Sequence, residues 1–567
     1  MGKKLAAVLC ALSITASASF VSAADSASAT SVPTFHCLSL YWSPEGGAKE
    51  KQVLVKFREA GAQKWREGLP MRYNPINTNA NKVSGRLLPP NITNDYRGSI
   101  VNLKPNTAYE VALTLEGTNI TTSLKATTWN ENFPIASTVK CPSGTTTLEV
   151  KKSGSPKGYV LYDGTGSTID TNNQSDMGIN VNAEYVILRG FTIKNVKTNG
   201  VNIEKGHHIV VENCDISKWG SEDPKTPGKG FGIEMNAGVY SKDRGLHALV
   251  VQRCKIHHPT WNTNYWSEMH NTWHPDGPQT IVMWEPEGNN VIRYNECWGE
   301  DTHKYNDVMG GSFNASYRGW PGCDSDIYCN YIANCADDGI EIEGGGQNVR
   351  CFNNYIEHTM MMIANAATSV GPLYIWQNVT GPSFTPSGGS GGQWKNVHGN
   401  FMKMGFADSD SWMTGHMYVF NNTIFQGPNN TASDGPGGDS RIIKHCVTRN
   451  NIFHARPDDT NSISTEKKKS TDNDFDHDLI SHRVPPDSEK NGIKGLPKYA
   501  AGAGFNFETK TGNFQLAPDS PGYRKATVIP NFCEPINGNP RDVGAHQSGT
   551  PPMVYGVKAN FVPPDVK

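Results

Sequence analysis

The sequence predicts an all-β protein whose main body is a parallel β-helix preceded by a small β-sandwich. Three observations predict this fold class: a strand-and-turn pattern that recurs with a period in the low twenties, a composition rich in glycine and asparagine, and a separate N-terminal segment of short alternating strands. The 567 residues include 57 glycines, which favour turns over helices. A chain of this length is expected to form more than one structural unit.

The first residues predict the compartment. Residues 1–4 are a short basic start, Leu5 to Phe20 supply an apolar and small-residue core, and Val21-Ser22-Ala23 presents small residues for cleavage. This order is typical of a secretory signal peptide. We therefore expect residues 1–23 to be a signal peptide and the mature protein to be secreted, either extracellular or periplasmic.

Charge and hydropathy exclude some partners. The formal net charge of −2 argues against a nucleic-acid partner, because phosphate binding needs a basic surface. No internal stretch reaches the roughly 20 apolar residues of a membrane span. We expect a monomer.

Twelve cysteines occur, of which Cys10 would leave with the signal peptide. No Cys-x-x-Cys pair is present, so the sequence does not support a structural zinc site. Disulfides are permitted outside the cytosol, but their pairing stays open. Cysteines that precede apolar strand residues fit equally well as packed, reduced core residues.

Residues 33–130 have the pattern of short alternating strands, such as Leu38–Trp42 and Val53–Phe57. The segment Leu103-Lys104-Pro105-Asn106-Thr107-Ala108-Tyr109 resembles the Leu-x-Pro-x-Thr-x-Tyr corner of fibronectin type III domains, in which the Tyr hydroxyl bonds back to nearby backbone. The resemblance implies a fibronectin type III-like β-sandwich that serves as a spacer or docking platform. We assign it no chemistry.

The repeat begins near residue 180. Its copies share a run of three or four apolar residues, a polar bend and one further apolar strand, and they start at Val186, Ile209, Leu249, Val349 and Met417. A period near 23 predicts stacked coils, none of which can bury its apolar face alone. Leucine-rich repeats share this period, but their leucine framework is missing. At the bend an inward Asn can bond to its counterparts in the coils above and below; this ladder would contain Asn330, Asn354 and Asn422.

These repeats resemble the secreted right-handed parallel β-helix proteins, a superfamily that includes pectate lyases and polygalacturonases. The resemblance covers residues 140–550 and includes the closing runs Gly512–Pro521 and Pro540–Ala545. It implies a right-handed parallel β-helix with inserted loops, followed by a C-terminal tail at 551–567. The resemblance supports this fold but does not identify a reaction. The charged segment 458–490 has the composition of a long mobile loop.

An acidic run supplies the main candidate site. In the run from Ala336 to Gly346, Ile340 and Ile342 should point inward, so that Glu341 and Glu343 share the outer face, with Asp337 and Asp338 at the preceding turn. We expect Glu204 and Glu234 to stand in the same column as Glu343.

Three interpretations of this run stay open. The four acids suit a general acid and base pair for glycoside hydrolysis, for which inverting enzymes separate their carboxyl groups by about 6.5–9.5 Å and retaining ones by about 5–5.5 Å. They also suit a calcium site. A solvated acidic turn is the third interpretation.

The preceding rung adds further candidates. His303, Lys304 and Asp307 should flank the acidic run, and His is the usual proton carrier at neutral pH. The insertion before them adds His274 and Asp276 near the same mouth. We expect His303 and Asp307 to be catalytic together with the four acids, and the other three to bind substrate.

Six of the thirteen Trp residues fall between residues 261 and 320, and exposed aromatic faces suit oligosaccharide clefts, although inserted loops also need small cores of their own. Trp284 at a strand end and Trp320 in a loop are the expected ligand contacts, with Arg318 beside Trp320.

The sequence thus favours a polysaccharide-degrading glycosidase. A polysaccharide lyase is the runner-up, since Lys304, Arg318 or His303 could act as its base and calcium could neutralise a uronate. A non-catalytic carbohydrate-binding protein or adhesin is the third hypothesis, but such β-helices tend to be regular, with few insertions.

Overall fold

A computed structural model describes residues 28–74, 87–265, 275–311, 313–366, 368–383, 399–405, 414–425, 433–437, 442–455, 461–465, 470–536 and 538–564. These residues contain strands β1 to β44 and a 3₁₀ turn at Gly556–Lys558. The expected signal peptide, residues 1–23, lies outside the described residues. No helix of the described residues is long and apolar enough to cross a membrane.

The N-terminal unit is antiparallel. Its strands are β1 (Thr30–Pro33), β2 (Leu38–Trp42), β3 (Gln52–Glu59), β4 (Arg66–Tyr73), β5 (Tyr96–Ile100), β6 (Ala108–Leu115) and β7 (Thr121–Thr127), and their order is β1-β2-β5-β4-β3-β6-β7. Alternate residues such as Trp42, Phe57 and Leu113 form its core. The backbone N–H of Lys104 donates to the Tyr109 hydroxyl at 2.9 Å, which confirms the bond expected of the corner motif.

The rest of the chain forms three parallel sheets that enclose one core. Sheet 1 contains β8 (Ile135–Lys140), β10 (Tyr159–Asp163), β13 (Val186–Arg189), β16 (Ile209–Glu212), β19 (Leu249–Gln252), β22 (Val291–Arg293), β25 (Asp326–Tyr328), β28 (Val349–Phe352), β31 (Leu373–Trp376), β34 (Met417–Phe420), β37 (Cys446–Arg449) and β39 (Asp474–Phe475). Sheet 2 contains β11 (Thr168–Asp170), β14 (Thr192–Lys194), β17 (Asp215–Ser217), β20 (Lys255–His257), β23 (Glu296–Trp298), β26 (Tyr331–Ala333), β29 (Tyr355–Glu357), β32 (Val379–Thr380), β35 (Thr423–Ile424), β38 (Ile452–Phe453), β40 (Leu479–Ile480) and β41 (Ile493–Lys494).

Sheet 3 contains β9 (Leu148–Val150), β12 (Met177–Asn182), β15 (Asn199–Lys205), β18 (Ala237–Ser241), β21 (Gln279–Met283), β24 (Met309–Gly310), β27 (Asp338–Glu341), β30 (Met361–Asn365), β33 (Gly399–Met404) and β36 (Ser433–Gly437). A small antiparallel sheet near the C-terminus has β42 (Gly504–Asn506), β43 (Thr511–Asn513) and β44 (Met553–Val554).

Each coil visits the three sheets in turn, for example through β12, β13 and β14, before β15 starts the next coil. The register keeps equivalent residues stacked, as in Val186, Ile209 and Leu249. Short β-branched runs suffice for such strands, because each coil needs only a few inward side chains and its neighbours supply the rest of the core. The predicted stack of coils is confirmed.

The predicted asparagine ladder is also confirmed. Asn330 Nδ2 donates to Asn354 Oδ1 at 2.9 Å, and Asn354 repeats this bond to the next coil at 3.0 Å. The ladder runs through Asn295, Asn330, Asn354, Asn378, Asn422, Asn451 and finally Asp478. Because each side chain accepts from one neighbour and donates to the other, buried amides are satisfied at the bend between sheets 1 and 2.

The prediction of a long loop at 458–490 is wrong for residues 474–480. Residues 474–480 form β39 and β40, which extend sheets 1 and 2 by another coil. Phe475, Leu479 and Ile480 are buried. Phe475 and Ile480 join the main core, and Leu479 packs on the other face against Leu516 and Val543, although the segment as a whole is charged.

The N-terminal unit packs against sheet 1. Phe35 and Val101 share an apolar cluster with Ile187 and Phe352 of the β-helix. Arg350 of β28 bonds to Ser39 and Ser99 of the N-terminal unit and pairs with Asp326 at 2.5 Å, with both charged side chains fully buried. The eleven cysteines from Cys37 to Cys533 are all free and buried. This agrees with the interpretation that they are reduced residues packed in the core.

Candidate functional site

The outward face of sheet 3 carries the candidate site. Ile340 and Ile342 are fully buried in the core, as predicted, and Glu341 between them points outward. The register places Glu341, Ala364 and Lys403 in one column over β27, β30 and β33. Neighbouring coils lie about 4.8 Å apart, so side chains from several coils meet over this column.

Five predicted catalytic residues converge here, and we call them the acidic cluster: Asp307, Asp337, Asp338, Glu341 and Glu343. Carboxylate oxygens of Asp307, Asp337 and Asp338 lie within 4.8 Å of one another, and the same holds for Asp338, Glu341 and Glu343. Asp338 therefore joins the two groups. Except for the half-buried Glu341, all five residues are buried.

One lysine stands among these acids. Lys403 Nζ lies 2.5 Å from Asp338 Oδ2 and 3.1 Å from Glu343 Oε1, and its side chain is 15% exposed. The sequence analysis missed Lys403. A signal was available, because Phe401-Met402-Lys403-Met404 alternates like a strand, with Phe401, Met402 and Met404 buried.

Amide groups surround Asp307. Gln279 Nε2 and Asn306 Nδ2 each donate to Asp307 Oδ2 at 2.9 Å, and the backbone N–H of Asp338 donates to its Oδ1 at 2.9 Å. Four oxygens of this region are buried and have no hydrogen-bond partner among the described residues: Gln279 Oε1, Asn306 Oδ1, Asp338 Oδ1 and Glu343 Oε2. A buried acceptor without a donor lowers the stability of the fold, so we expect these oxygens to bind a further ligand.

Burial and mutual repulsion shift the pKa values of the cluster. Burial, and then the Asp338 charge, raise the pKa of Asp307 well above its usual range. Burial raises the pKa of Asp338 in the same way, while Lys403 opposes the rise. Burial followed by the charges of Asp307 and Glu343 raises the pKa of Glu341. Burial alone would lower the pKa of Lys403, but the surrounding carboxylates raise it well above its ordinary value.

A second carboxyl pair lies beside the cluster. Burial and the neighbouring Asp276 raise the pKa of Glu234 to about 7, and the Glu234 charge in turn acts on Asp307. Asp276 is 3% exposed and pairs with Lys225 at 3.0 Å. Glu234 lies in the loop before β18 and not on a strand, so the expected column of Glu204, Glu234 and Glu343 is wrong for this residue.

The two residues predicted beside Asp307 have other partners. His303 lies in the turn after β23, where its ring contacts Thr302 at 2.9 Å and Glu300 at 3.5 Å. Lys304 is buried with its ammonium group on the Tyr265 hydroxyl and 3.3 Å from Asp301. These contacts are with residues outside the acidic cluster, which does not fit the predicted roles of His303 and Lys304 at the cluster. His274 lies outside the described residues.

The predicted ligand contacts differ in exposure. Trp284 directly follows β21 on the sheet 3 side and is half-buried, with Lys242 Nζ 4.7 Å from its ring centre. Trp320 is only 2% exposed within the main core, so its ring has no open face for a ligand and this expectation is corrected. Arg318 donates to the carbonyls of Leu88 and Arg244 at 3.1 and 2.6 Å, so its guanidinium group connects two segments of the protein.

A model of a known family matches part of these coils. The family described as "Right handed beta helix region" matches residues 177–379, which run from β12 into β32. The body of the chain is a right-handed parallel β-helix. The candidate site therefore lies on the outer face of one sheet of this β-helix, with Asp307 to Glu343 inside the matched residues.

Among solved structures, this β-helix protein is similar to pectate lyase Pel3 from Pectobacterium carotovorum, with 11% identity over 66% of this chain and 99% of that chain and a TM-score of 0.21. It is also similar to pectate lyase PelI from Erwinia chrysanthemi, with 9% identity over 69% of this chain and 99% of that chain and a TM-score of 0.18. No curated protein matches the sequence.

Proposed function

We propose that the protein is a secreted polysaccharide lyase that cleaves a uronate polymer by β-elimination at the acidic cluster, with a divalent cation, calcium, as cofactor. One observation carries this proposal: five carboxyl groups and two side-chain amides, mostly buried, have one lysine as their counter-charge among the described residues, and four of their oxygens have no donor there. A hydrolase needs two carboxyl groups, which leaves the amide oxygens and the remaining acids unexplained.

The residues present fit a calcium ion. Calcium takes six to eight oxygen ligands from carboxylates and carbonyl groups. Asp338 Oδ1 and Glu343 Oε2 are buried and unpartnered, and Glu341 lies within reach of both. These three residues would hold the ion, with Asp307 and Asp337 beside them. Without a cation, five carboxyl groups would repel a uronate.

The reaction takes a proton alpha to a uronate carboxylate, expels the glycosidic oxygen from the β carbon and leaves a carbon–carbon double bond in the product. A bound calcium ion would supply charge neutralisation for that carboxylate. Lys403 is the proposed base: the surrounding carboxylates raise its pKa, and neutralisation of these carboxylates by a cation would lower it again. Its side chain is 15% exposed on the outer face, where substrate would bind. Trp284 and Lys242 offer a stacking face and a positive charge further along sheet 3.

Assay of the full secreted chain on a panel of uronate and neutral polysaccharides tests the proposal. We expect the ultraviolet absorbance of an unsaturated uronate to rise with calcium and to disappear with a chelator. Release of reducing ends without that absorbance, or full activity in chelator, would overturn the lyase assignment. Binding without any cleavage would instead favour the adhesin hypothesis.

A glycoside hydrolase is the second candidate, and the Glu234 carboxyl favours it. A pKa of about 7 keeps about half of such a group protonated at neutral pH, as a general acid requires. For this candidate, Glu234→Gln would abolish cleavage of a neutral polysaccharide, and chelation would have no effect.

A further inference from the structure

Three histidines meet on the turn that leads into sheet 1. His207 and His208 precede β16, and His247 precedes β19, the strand that pairs with β16 in the next coil. The His207 and His247 rings stack with their centres 4.6 Å apart. One nitrogen from each of the three rings lies within 4.8 Å of the other two, and all three residues are half-buried.

The separation of the ring nitrogens suits two ligands of one metal ion. His207 Nδ1 and His208 Nδ1 are 2.9 Å apart. Two nitrogens bound to one tetrahedral ion at about 2.0–2.1 Å lie roughly 3.3 Å from each other. A shift of a few tenths of an ångström would therefore bring both nitrogens to ligand positions.

Polar neighbours fix the proton position on two of the rings. His247 Nδ1 lies 3.0 Å from the Gly245 carbonyl, which can only accept, so the proton sits on Nδ1 and the Nε2 lone pair is free. His207 Nε2 faces Glu184 Oε2 at 3.3 Å, which favours the proton on Nε2 and frees Nδ1. Metal-binding histidines typically donate their other N–H to a carbonyl or carboxylate in this way.

We propose that His207, His208 and His247 bind one transition-metal ion of the zinc class and thereby clamp two consecutive coils. Three imidazoles prefer zinc, copper or nickel, whereas calcium prefers oxygen ligands. The site is separate from the acidic cluster and does not depend on the proposed lyase activity.

Titration of the full chain with zinc, without a histidine tag and with excess calcium to fill the acidic cluster, tests the proposal by calorimetry. We expect one zinc site, and we expect His247→Gln to weaken it by about tenfold or more. His358→Gln is the matched control, because that side chain is 48% exposed beside Glu357; it should bind zinc like the wild type. No zinc binding, or equal affinity in wild type and His247→Gln, would overturn the proposal.

Cobalt substitution keeps the test decisive if His247→Gln does not fold. Wild-type protein with cobalt should show the intense visible absorption of a four-coordinate site, and His207→Gln should lose it while His358→Gln keeps it. A weak six-coordinate spectrum in the wild type would overturn the proposal.

Discussion

The Lys403 ammonium lies 2.5 Å from Oδ2 of Asp338, a residue 65 positions earlier in the chain. The two residues come from β33 and β27, with β30 between them. Only the stacking of coils brings this pair together. The contact gives the acidic cluster its cation and places an amine next to carboxyl groups that burial makes weak acids.

Replacement of Lys403 by Gln should remove the base and also a competitor for the cation. We expect kcat on a uronate polymer to fall about 100-fold or more, while calcium binds as tightly as before or more tightly. Initial rates and calcium titration would check both effects. Lys498→Gln, which breaks the exposed Lys498–Asp519 pair, is the control. A parallel loss of rate and of calcium affinity would indicate a structural role for Lys403.

Replacement of Gly310 by Ala should disturb the cluster sterically. An added Cβ would lie 2.4 Å from Glu341 Oε2 and 2.9 Å from Glu341 Cβ, so the Glu341 side chain would have to move. We expect calcium affinity to fall about tenfold. Gly144→Ala is the control, since its nearest contact would be Ile169 Cδ1 at 3.8 Å. Unchanged calcium binding in Gly310→Ala would remove Glu341 from the proposed site.

Stability without calcium should fall as the pH rises. The folded-state pKa of Glu234, about 7, exceeds its ordinary value of 4.5, so the folded protein binds more protons than the unfolded chain between these values. The contribution of this group to the free energy of unfolding is therefore fully present below about pH 4.5. It is lost as the pH rises to about 7, at no more than about 1.4 kcal/mol per pH unit.

Urea unfolding at several pH values would measure this slope, and Glu234→Gln should flatten it. Burial raises the pKa of Asp307 and Glu341 in the same direction. Added calcium should offset the loss at neutral pH. A stability that rises from pH 5 to 7 in the absence of calcium would contradict the prediction.

Replacement of Arg350 by Met should loosen the N-terminal unit. The change leaves Asp326 buried without its partner, for which we expect a loss of about 3–5 kcal/mol in the free energy of unfolding. Denaturant unfolding and limited proteolysis near residues 130–135 would report it. Lys498→Gln again serves as control, because an exposed pair contributes about 1 kcal/mol or less. A loss of similar size in both variants would contradict a stabilising role for the buried pair.

Replacement of Asn354 by Ala should break the asparagine ladder. The side chain accepts from Asn330 and donates to Asn378 and to the Ile327 carbonyl. Its loss leaves buried groups unsatisfied at about 1–3 kcal/mol each, and we expect a total of about 2–5 kcal/mol by denaturant unfolding. The exposed Asn132→Ala should change stability by less than about 0.5 kcal/mol. An equally small effect at Asn354 would show that the ladder does not contribute to stability.

Local patterns were enough to predict the coils. Alternation around Ile340 and Ile342 gave the outward direction of Glu341, and the recurring Asn at the bend gave the ladder, because both depend on residues close in sequence and on one repeating geometry. The same reasoning failed for Trp320 and His303, whose surroundings depend on the path of inserted loops.

The sequence by itself determined the stacked coils, the acidic run and the corner at Tyr109. Only the tertiary structure decided that Lys403 joins that run, that Arg350 bonds to the N-terminal unit, and that three histidines meet on one turn. The physical reason is the stacking itself: residues that are neighbours across coils are separated by loops of variable length, so their register is set by hydrogen bonding between strands and by packing of the shared core.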